Sequence, residues 1–253
     1  MSESAKHSPS RRQLLTQAIA IGTASLVGMN HRTSADAGDL ETTRIRITHA
    51  PSICTAPQYL AEELLRMEGF TQIEYLPLGT RYGPYAVAGG QADMTMWDLP
   101  GLIPLLDTGR SIVLLAGVHA GCYELFVSER VRAISELKGK TVAIQYHNSG
   151  DHVFLSSMLA YLGLNPQRDV NWIAGQRMLD SMNIFADGKA DAFMAYGQQG
   201  AELRARKVGR VIVNTAQDRP WSQYFCCMIA ANRDFVQRNP VATKRFLRAI
   251  LKS

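Results

Sequence analysis

The chain has 253 residues, of which 46% are hydrophobic and 19% are charged, so it can bury a core and is neither disordered nor fibrous. Its formal net charge is +5, but the basic residues are scattered and no run of five or more Lys or Arg indicates a polyanion partner. We therefore interpret the charge as a solvated surface.

Residues 1–37 have the features of an export signal. The stretch SRRQLL at 10–15 resembles the twin-arginine motif, and the apolar stretch over 14–29 is too short to span a bilayer. Small residues at 35–37 suit a signal peptidase, and no Cys follows the apolar stretch to carry a lipid anchor. The sequence predicts a periplasmic protein, exported by the twin-arginine route and not inserted in the membrane.

Strand-like and helical segments alternate after the signal, which predicts a doubly wound α/β fold. The first set has strands over 44–48, 73–77, 93–97 and 112–116, with helices over 56–68, 82–88 and 99–107. The second set has strands over 124–127, 141–144, 170–173 and 191–195, with helices over 151–162 and 178–186.

The two sets predict two lobes that meet at a ligand-binding cleft. A short echo, GQADM at 90–94 and GKADA at 188–192, falls at equivalent points of both sets. We assign 38–123 to lobe one, 124–222 to lobe two and 223–253 to the return to lobe one. Hinge strands are predicted near 122–127 and 223–231.

The second lobe carries a familiar pattern of short motifs: ISELKGKTVAI at 134–144, LGLNP at 162–166 and DGKADA at 187–192. In this order the pattern resembles ABC-transporter periplasmic substrate-binding proteins of the nitrate/sulfonate/taurine type, and the resemblance spans 44–252. It implies a two-lobed type II periplasmic-binding-protein fold, a small-molecule ligand, and a membrane permease and ATPase as partners. Proteins of this type continue beyond the last predicted helix at 240–253, so we expect a truncated C-terminus.

Two turns before predicted helices present candidate ligand-binding groups to the cleft. Cys54 and Thr55 precede the first helix, and Ser149, Gly150 and Asp151 open the first helix of the second lobe. Free N–H groups at helix N-termini attract anions, whereas Asp151 would repel one and favours a neutral, zwitterionic or amine-bearing ligand. Ordinary helix capping is the alternative interpretation.

Aromatic and acidic side chains follow two of the predicted strands. Trp97 and Tyr196 would sandwich a flat heterocycle, and Asp98 would accept a hydrogen bond from an amine or ring N–H. The alternative is that both rings only pack and that Asp98 caps the next helix. Further candidates on loops or hinges are Tyr82, Tyr123, Trp221 and Tyr224.

Histidines and cysteines leave a metal alternative open. Four histidines, His49, His119, His147 and His152, each follow a predicted strand or open a helix. Gathered at the cleft they would bind a metal or act as acid and base, but no metal-ligand spacing accompanies them. The four cysteines contain no C-x-x-C, and a disulfide between Cys54 and Cys122 or buried free thiols are both open. We predict no metal ligands and no cofactor.

These observations predict a monomeric solute-binding component of an ABC importer, not an enzyme. The ligand would be a sulfonate, taurine, nitrate or a thiamine-pyrimidine-like heterocycle, captured as the lobes close. The resembling fold is also that of the thiamine-pyrimidine synthases, so an enzyme of that kind, or a metal-binding protein using the cleft histidines, is the alternative. No catalytic motif was found, and no DNA-binding helix-turn-helix precedes the first lobe, which excludes a nucleic-acid partner.

Overall fold

The computed structural model describes residues 38–50, 52–77, 79–175 and 177–253, with the backbone alone described at 79–82 and 178. The export signal predicted over 1–37 lies outside these residues. Both sheets described below belong to one unit, Leu40–Ser253. Among the described residues, no helix combines the length and apolarity needed to cross a bilayer.

The described part of the chain contains ten strands and nine α-helices. The strands are β1 (Arg44–Thr48), β2 (Gln72–Leu76), β3 (Met94–Asp98), β4 (Ile112–Ala120), β5 (Tyr123–Val127), β6 (Thr141–Ile144), β7 (Asn171–Ala174), β8 (Ala192–Tyr196), β9 (Arg210–Asn214) and β10 (Phe225–Asn232). The helices are α1 (Ala56–Leu60), α2 (Glu62–Met67), α3 (Gly79–Ala88), α4 (Leu99–Asp107), α5 (Gly150–Tyr161), α6 (Met178–Ala186), α7 (Gly197–Ala205), α8 (Arg233–Arg238) and α9 (Pro240–Ile250).

The strands form two five-stranded sheets of equivalent topology. The first has the order β2-β1-β3-β10-β4 and the second β7-β6-β8-β5-β9. In each sheet the first three strands are parallel, and the fourth runs antiparallel to both of its neighbours. That fourth strand arrives from the other lobe, as β10 does in the first sheet and β5 in the second. The predicted two-lobed α/β fold is confirmed.

The first lobe buries an apolar core against its sheet. In β1, Ile45 and Ile47 are fully buried while Arg44 is exposed and Arg46 is only partly buried, as the period of a strand predicts. Helix α9 covers this sheet with Ala242, Phe246 and Ala249, spaced to share one helical face.

The sequence echo at 90–94 and 188–192 has a structural reason. Asp93 accepts a hydrogen bond from the backbone N–H of Arg46 in β1 at 2.8 Å and forms a salt bridge with its guanidinium at 2.6 Å. Asp191 accepts from the backbone N–H of Thr141 in β6 at 3.1 Å and pairs with Arg130 at 2.9 Å. In both lobes, therefore, an aspartate just before the third strand of the sheet fixes the strand beside it.

The crossings between the lobes lie against each other. Gly121, between β4 and β5, has a φ of +65°, and a Cβ atom there would lie 2.4 Å from the Cα of Ala216 in the second crossing. Thr215 Oγ1 accepts from the N–H of Tyr123 at 3.0 Å, which ties the two crossings together. The first crossing coincides with the start of the hinge strand predicted near 122–127, whereas Thr215 and Ala216 precede the one predicted near 223–231.

Several elements differ from the sequence predictions. The helix predicted over 56–68 is broken at Ala61 into α1 and α2. Strand β4 continues past Gly117 to Ala120, because it pairs with β10 as far as Phe225. The ring of Phe225 packs where a side chain at Gly117 would stand: an added Cβ would lie 2.3 Å from its Cγ. Helix α7 was not predicted, since few of its residues are apolar.

Candidate functional site

A cavity of about 160 Å³ lies between the lobes, at the carboxyl ends of β1 and β3 on one side and of β6 and β8 on the other. This is where ligands bind in open α/β sheets. The residues lining it are Ala50, Ser52, Cys54, Thr55, Met96, Trp97, Asp98, Gln145, Tyr146, Gly150, Tyr196, Gln198, Gln199 and Cys227.

Asp98 is the carboxylate of this cavity, placed by the end of β3. Its Oδ2 accepts from the backbone N–H of Gly101 at 2.9 Å, so it caps α4, and from the hydroxyl of Tyr123 at 3.1 Å. Burial raises its pKa from 3.8 to about 6; these two hydrogen bonds oppose the rise, and nearby Asp151 adds to it. Asp98 therefore has both of the proposed roles: it caps α4 and it lines the cavity.

Tyr123 and Tyr196 form a short hydrogen-bonded chain that leads to this carboxylate. Their hydroxyl oxygens are 2.8 Å apart, and their ring centroids are 4.6 Å apart. Burial, followed by the charge of Asp98, raises both pKa values well above 10, so both phenols stay protonated at neutral pH. Tyr196 lines the cavity, whereas Tyr123 lies behind it and supports Asp98.

Gly150 lets the second lobe approach Asp98. It is the first residue of α5, and a Cβ atom there would lie 1.8 Å from Asp98 Oδ2 and 2.7 Å from the hydroxyl of Tyr123. Only a residue without a side chain fits. The contact also brings the positive end of the α5 dipole to the carboxylate.

The other two residues of this turn do not line the cavity. Ser149 and Asp151 are fully or almost fully buried and hydrogen bond to each other. Asp151 Oδ2 also accepts from the N–H of Gln145 at 2.9 Å. Burial raises the pKa of Asp151, while the hydrogen bond from Ser149 opposes the rise. Their polar groups are consequently used inside the protein.

The first-lobe turn contributes Cys54 and Thr55 to the wall. Ser52 caps the turn by accepting from the N–H of Cys54 at 3.3 Å, and the hydroxyl of Thr55 donates to the carbonyl of Ala50 at 2.7 Å. Capping and cavity lining therefore occur together here as well. Tyr224 is 61% exposed and does not line the cavity.

The sequence also named Tyr82, which belongs to α3, but its side chain lies outside the described part of the chain. Three glutamines that line the cavity were not predicted from the sequence: Gln145, Gln198 and Gln199. The Oε1 atom of Gln199 is buried and accepts no hydrogen bond from the described residues. Gln198 and Gln199 come directly after β8, which ends at Tyr196. The expectation that ligands bind at the carboxyl ends of strands, which led to Tyr196, therefore applies to them as well.

The histidines do not gather at the cleft as the metal alternative required. His147 and His152 stack edge to face with centroids 5.3 Å apart, and burial lowers the pKa of His152 to about 4. His49 instead packs against Tyr59, with centroids 5.5 Å apart. His119 contacts cysteines, with Nδ1 3.6 Å from the Sγ of Cys122.

The four cysteines are free thiols. Hydrogen bonds from Cys226, then from Cys227 and Cys54, lower the pKa of Cys122. The contact with Cys122 raises the pKa of His119 to about 9. Cys122 is therefore the thiol of this group that ionises most readily.

Residues 77–253 match the model of the family described as NMT1/THI5 like. The chain belongs to the NMT1/THI5-like family. A search of curated protein sequences found no match.

Solved structures share the fold of this NMT1/THI5-like chain. The alkanesulfonate-binding protein SsuA of Xanthomonas axonopodis pv. citri, bound to MOPS, is 18% identical with a TM-score of 0.65, over 84% of this chain and 73% of that one. The nitrate-binding protein NrtA of Synechocystis PCC 6803 is 16% identical with a TM-score of 0.68, over 85% and 62%. The aliphatic sulphonate-binding protein SsuA of Escherichia coli is 17% identical with a TM-score of 0.65, over 83% and 69%.

These likenesses confirm the periplasmic-binding-protein fold and the predicted resemblance to the nitrate/sulfonate group. In the NMT1/THI5-like chain, the cavity wall has an unusual balance of charge for an anion site. Among the described residues that line it, Asp98 is the one with a titratable carboxyl group, and none is Lys, Arg or His.

Proposed function

We propose that the protein is the solute-binding component of an ABC importer and that its ligand is a small, flat heterocycle rich in N–H donors, of the aminopyrimidine class. The observation that carries this proposal is the pair of acceptors in the wall: Asp98, and the Oε1 of Gln199, which is buried and accepts no hydrogen bond from any residue that the structure describes. A buried acceptor without a donor costs about 1–3 kcal/mol, so a ligand N–H that reaches Gln199 removes that cost, and a second N–H can form a charge-assisted hydrogen bond with Asp98 beside those from Gly101 and Tyr123.

The cavity volume supports a single ring. A site of about 160 Å³ is close to the roughly 150 Å³ of an engineered apolar cavity that binds benzene. Trp97 and Tyr196 offer aromatic surface at this site, which favours a planar ligand. A six-membered ring with small substituents fits these limits.

The charge of the wall argues against nitrate and simple sulfonates. An anion would meet Asp98 with Asp151 behind it, and repulsion between like charges in a buried site is costly. The N-terminus of α5 offsets part of that repulsion, so taurine, which carries both an amine and a sulfonate, is the strongest of the other candidates.

Capture follows from the two-lobed arrangement. Asp98 belongs to the first lobe and Gly150 and Tyr196 to the second, so one ligand contacts both lobes and favours the closed state. The closed protein then delivers its ligand to a membrane permease driven by an ATPase, and the chain itself breaks no bond.

A thermal-shift screen tests the ligand class. The purified chain is screened against an aminopyrimidine, taurine, an alkanesulfonate and nitrate; a ligand at 100 times its Kd adds about 2.7 kcal/mol to the stability. We expect the aminopyrimidine to raise Tm, and D98N and Q199L to reduce the shift. The surface variant Q217L is the matched control. A shift with nitrate or alkanesulfonate alone would refute the ligand class.

Mass spectrometry of the incubated ligand separates transport from catalysis. We expect the aminopyrimidine to be recovered unchanged after prolonged incubation with the protein. Time-dependent conversion that requires the cavity residues would favour the enzyme alternative.

Export is proposed from residues 1–37, and the twin-arginine route from Arg11 and Arg12. Replacing both with Lys should retain the precursor in the cytoplasm while leaving the folded chain unaltered. Cell fractionation measures this, and unchanged export of the double variant would exclude the route.

A further inference from the structure

Four potential metal ligands from distant parts of the chain converge beside the cavity. They are Cys54, His119, Cys122 and Cys227, and their donor atoms all lie within 4.8 Å of one another. Cys122 and Cys227 are buried, and the other two are half-buried. Their positions span most of the sequence, which is why no ligand spacing was recognisable.

The three donor distances from Cys122 are close to those of a tetrahedral site. The Sγ of Cys122 lies 3.4 Å from that of Cys54, 3.8 Å from that of Cys227 and 3.6 Å from the Nδ1 of His119. A zinc ion with Zn–S bonds of about 2.3 Å and a Zn–N bond of about 2.0 Å separates its tetrahedral ligands by roughly 3.5–3.8 Å. The Cys122–Cys227 and Cys122–His119 distances agree with the S···S and S···N values to within about 0.1 Å, and the Cys54–Cys122 distance is shorter than the S···S value by about 0.3–0.4 Å.

The imidazole is oriented as in protein zinc sites. His119 Nε2 lies 3.1 Å from the backbone carbonyl oxygen of Cys54, which accepts a hydrogen bond from the Nε2–H tautomer. Zinc binding releases the Nδ1 proton, and the Nδ1 lone pair of the resulting tautomer faces the thiols. A second hydrogen bond of this kind accompanies almost every histidine that binds a metal.

We propose that Cys54, His119, Cys122 and Cys227 bind one zinc ion. Three thiolates and one imidazole form a complete four-coordinate set, typical of structural zinc sites, and leave no position open for a substrate. Soft sulfur ligands and tetrahedral geometry select zinc over magnesium or calcium. The proposal concerns the architecture of the protein and is independent of the identity of the transported solute.

The ion would join three segments that form the base of the cleft. Cys54 belongs to the turn before α1, His119 and Cys122 flank the crossing from β4 to β5, and Cys227 lies in β10. Cys54 and Cys227 also line the cavity. Zinc would therefore fix one wall of the ligand site and the first crossing together, and add to the stability of the folded chain.

Metal titration of the full chain tests the proposal. The protein is stripped with a chelator, kept reduced, and titrated with zinc against a chromophoric chelator; cobalt is used in parallel for its spectrum. We expect one zinc per chain, a rise in Tm on binding, and the intense absorption bands of tetrahedral cobalt with thiolate ligands.

Variants assign the ligands. C54S, C122S and H119Q should each weaken zinc binding by more than about 100-fold, because even loss of an outer-shell partner costs about 10–100-fold. H147Q is the matched control, because His147 does not belong to the group of four. Circular dichroism of each variant verifies that the fold persists; H119Q carries the test if a cysteine variant fails to fold.

Three results would overturn the proposal. They are no zinc uptake by the fully reduced chain, uptake unaffected by C122S and H119Q, or an equal loss in H147Q. A chain isolated with a Cys54–Cys122 disulfide that still takes up no zinc after reduction is the first of these. D98N should leave zinc binding unchanged, so failure of the zinc site and failure of the solute proposal are distinguishable.

Discussion

Replacing Asp98 with Asn should stabilise the protein at neutral pH and weaken ligand binding. The folded chain holds the pKa of Asp98 at about 6, against 3.8 as the ordinary value, because burial disfavours the charged form. A displacement of this size corresponds to about 3 kcal/mol. Asn keeps an oxygen that can accept from Gly101 and Tyr123, but it carries no charge to bury.

The sign of the effect sets its pH dependence. The folded chain binds this proton more tightly than the unfolded chain does, so the contribution of Asp98 to stability is largest below about pH 4 and is lost as the pH rises through about 6. D98N should thus exceed the wild type by about 3 kcal/mol above pH 7 and by almost nothing at pH 4.

Urea unfolding between pH 4 and pH 8 measures the difference between the two proteins. All other titrating groups are common to both, and D107N, an exposed carboxylate at the end of α4, is the matched control. A D98N variant no more stable than the wild type at pH 7.5, or a difference that does not change with pH, would refute the reasoning. Loss of ligand affinity in the same variant would show that the buried charge of Asp98, although it destabilises the fold, contributes to ligand binding.

Three further variants probe the surroundings of this carboxylate and the first lobe. G150A should destabilise the protein by about 1–3 kcal/mol and weaken solute binding, since its Cβ would overlap Asp98; unfolding and solute titration measure both, and unaltered affinity would contradict the geometry. Y123F removes the hydroxyl that donates to Asp98 and should cost about 1–2 kcal/mol in urea unfolding; no loss would show that the bond is unimportant. D93N should cost about 3 kcal/mol by leaving Arg46 without its carboxylate, and a Tm equal to that of the wild type would exclude that role.

The fold was largely predictable because its strands and helices carry clear periodicity. Strand β1, helix α4 and strand β6 have the predicted bounds, and the echo around Asp93 and Asp191 marks equivalent contacts in both lobes. Periodicity did not predict the end of β4, because contacts with a distant part of the chain determine it. The ring of Phe225 takes the place of a side chain at Gly117, and such a contact leaves no local signal.

The site was predictable in position but not in the direction of its side chains. The strand-end rule led to Trp97, Asp98 and Tyr196, all of which line the cavity. Ser149 and Asp151 share the same turn as Gly150, yet they point into the protein and bond to each other. Which of three neighbouring residues faces a cleft depends on backbone angles that a sequence motif does not specify.

The cysteine and histidine cluster was not predictable at all from spacing. Its members come from three separate segments, so proximity arises only once both crossings and β10 are in place. The only local trace is the short interval between His119 and Cys122, which occurs in many proteins without a metal.

The place of β10 in the first sheet has a consequence for synthesis. All strands of the second sheet lie within 123–214, whereas the first sheet receives its interior strand only from Phe225–Asn232. As the chain leaves the ribosome, the second lobe can form all the hydrogen bonds of its sheet before β10, which pairs with both β3 and β4, has been synthesised. The first lobe is thus synthesised first but completes its sheet last. Until β10 is in place, the unpaired edges of β3 and β4 are the part of the new chain that a chaperone would cover.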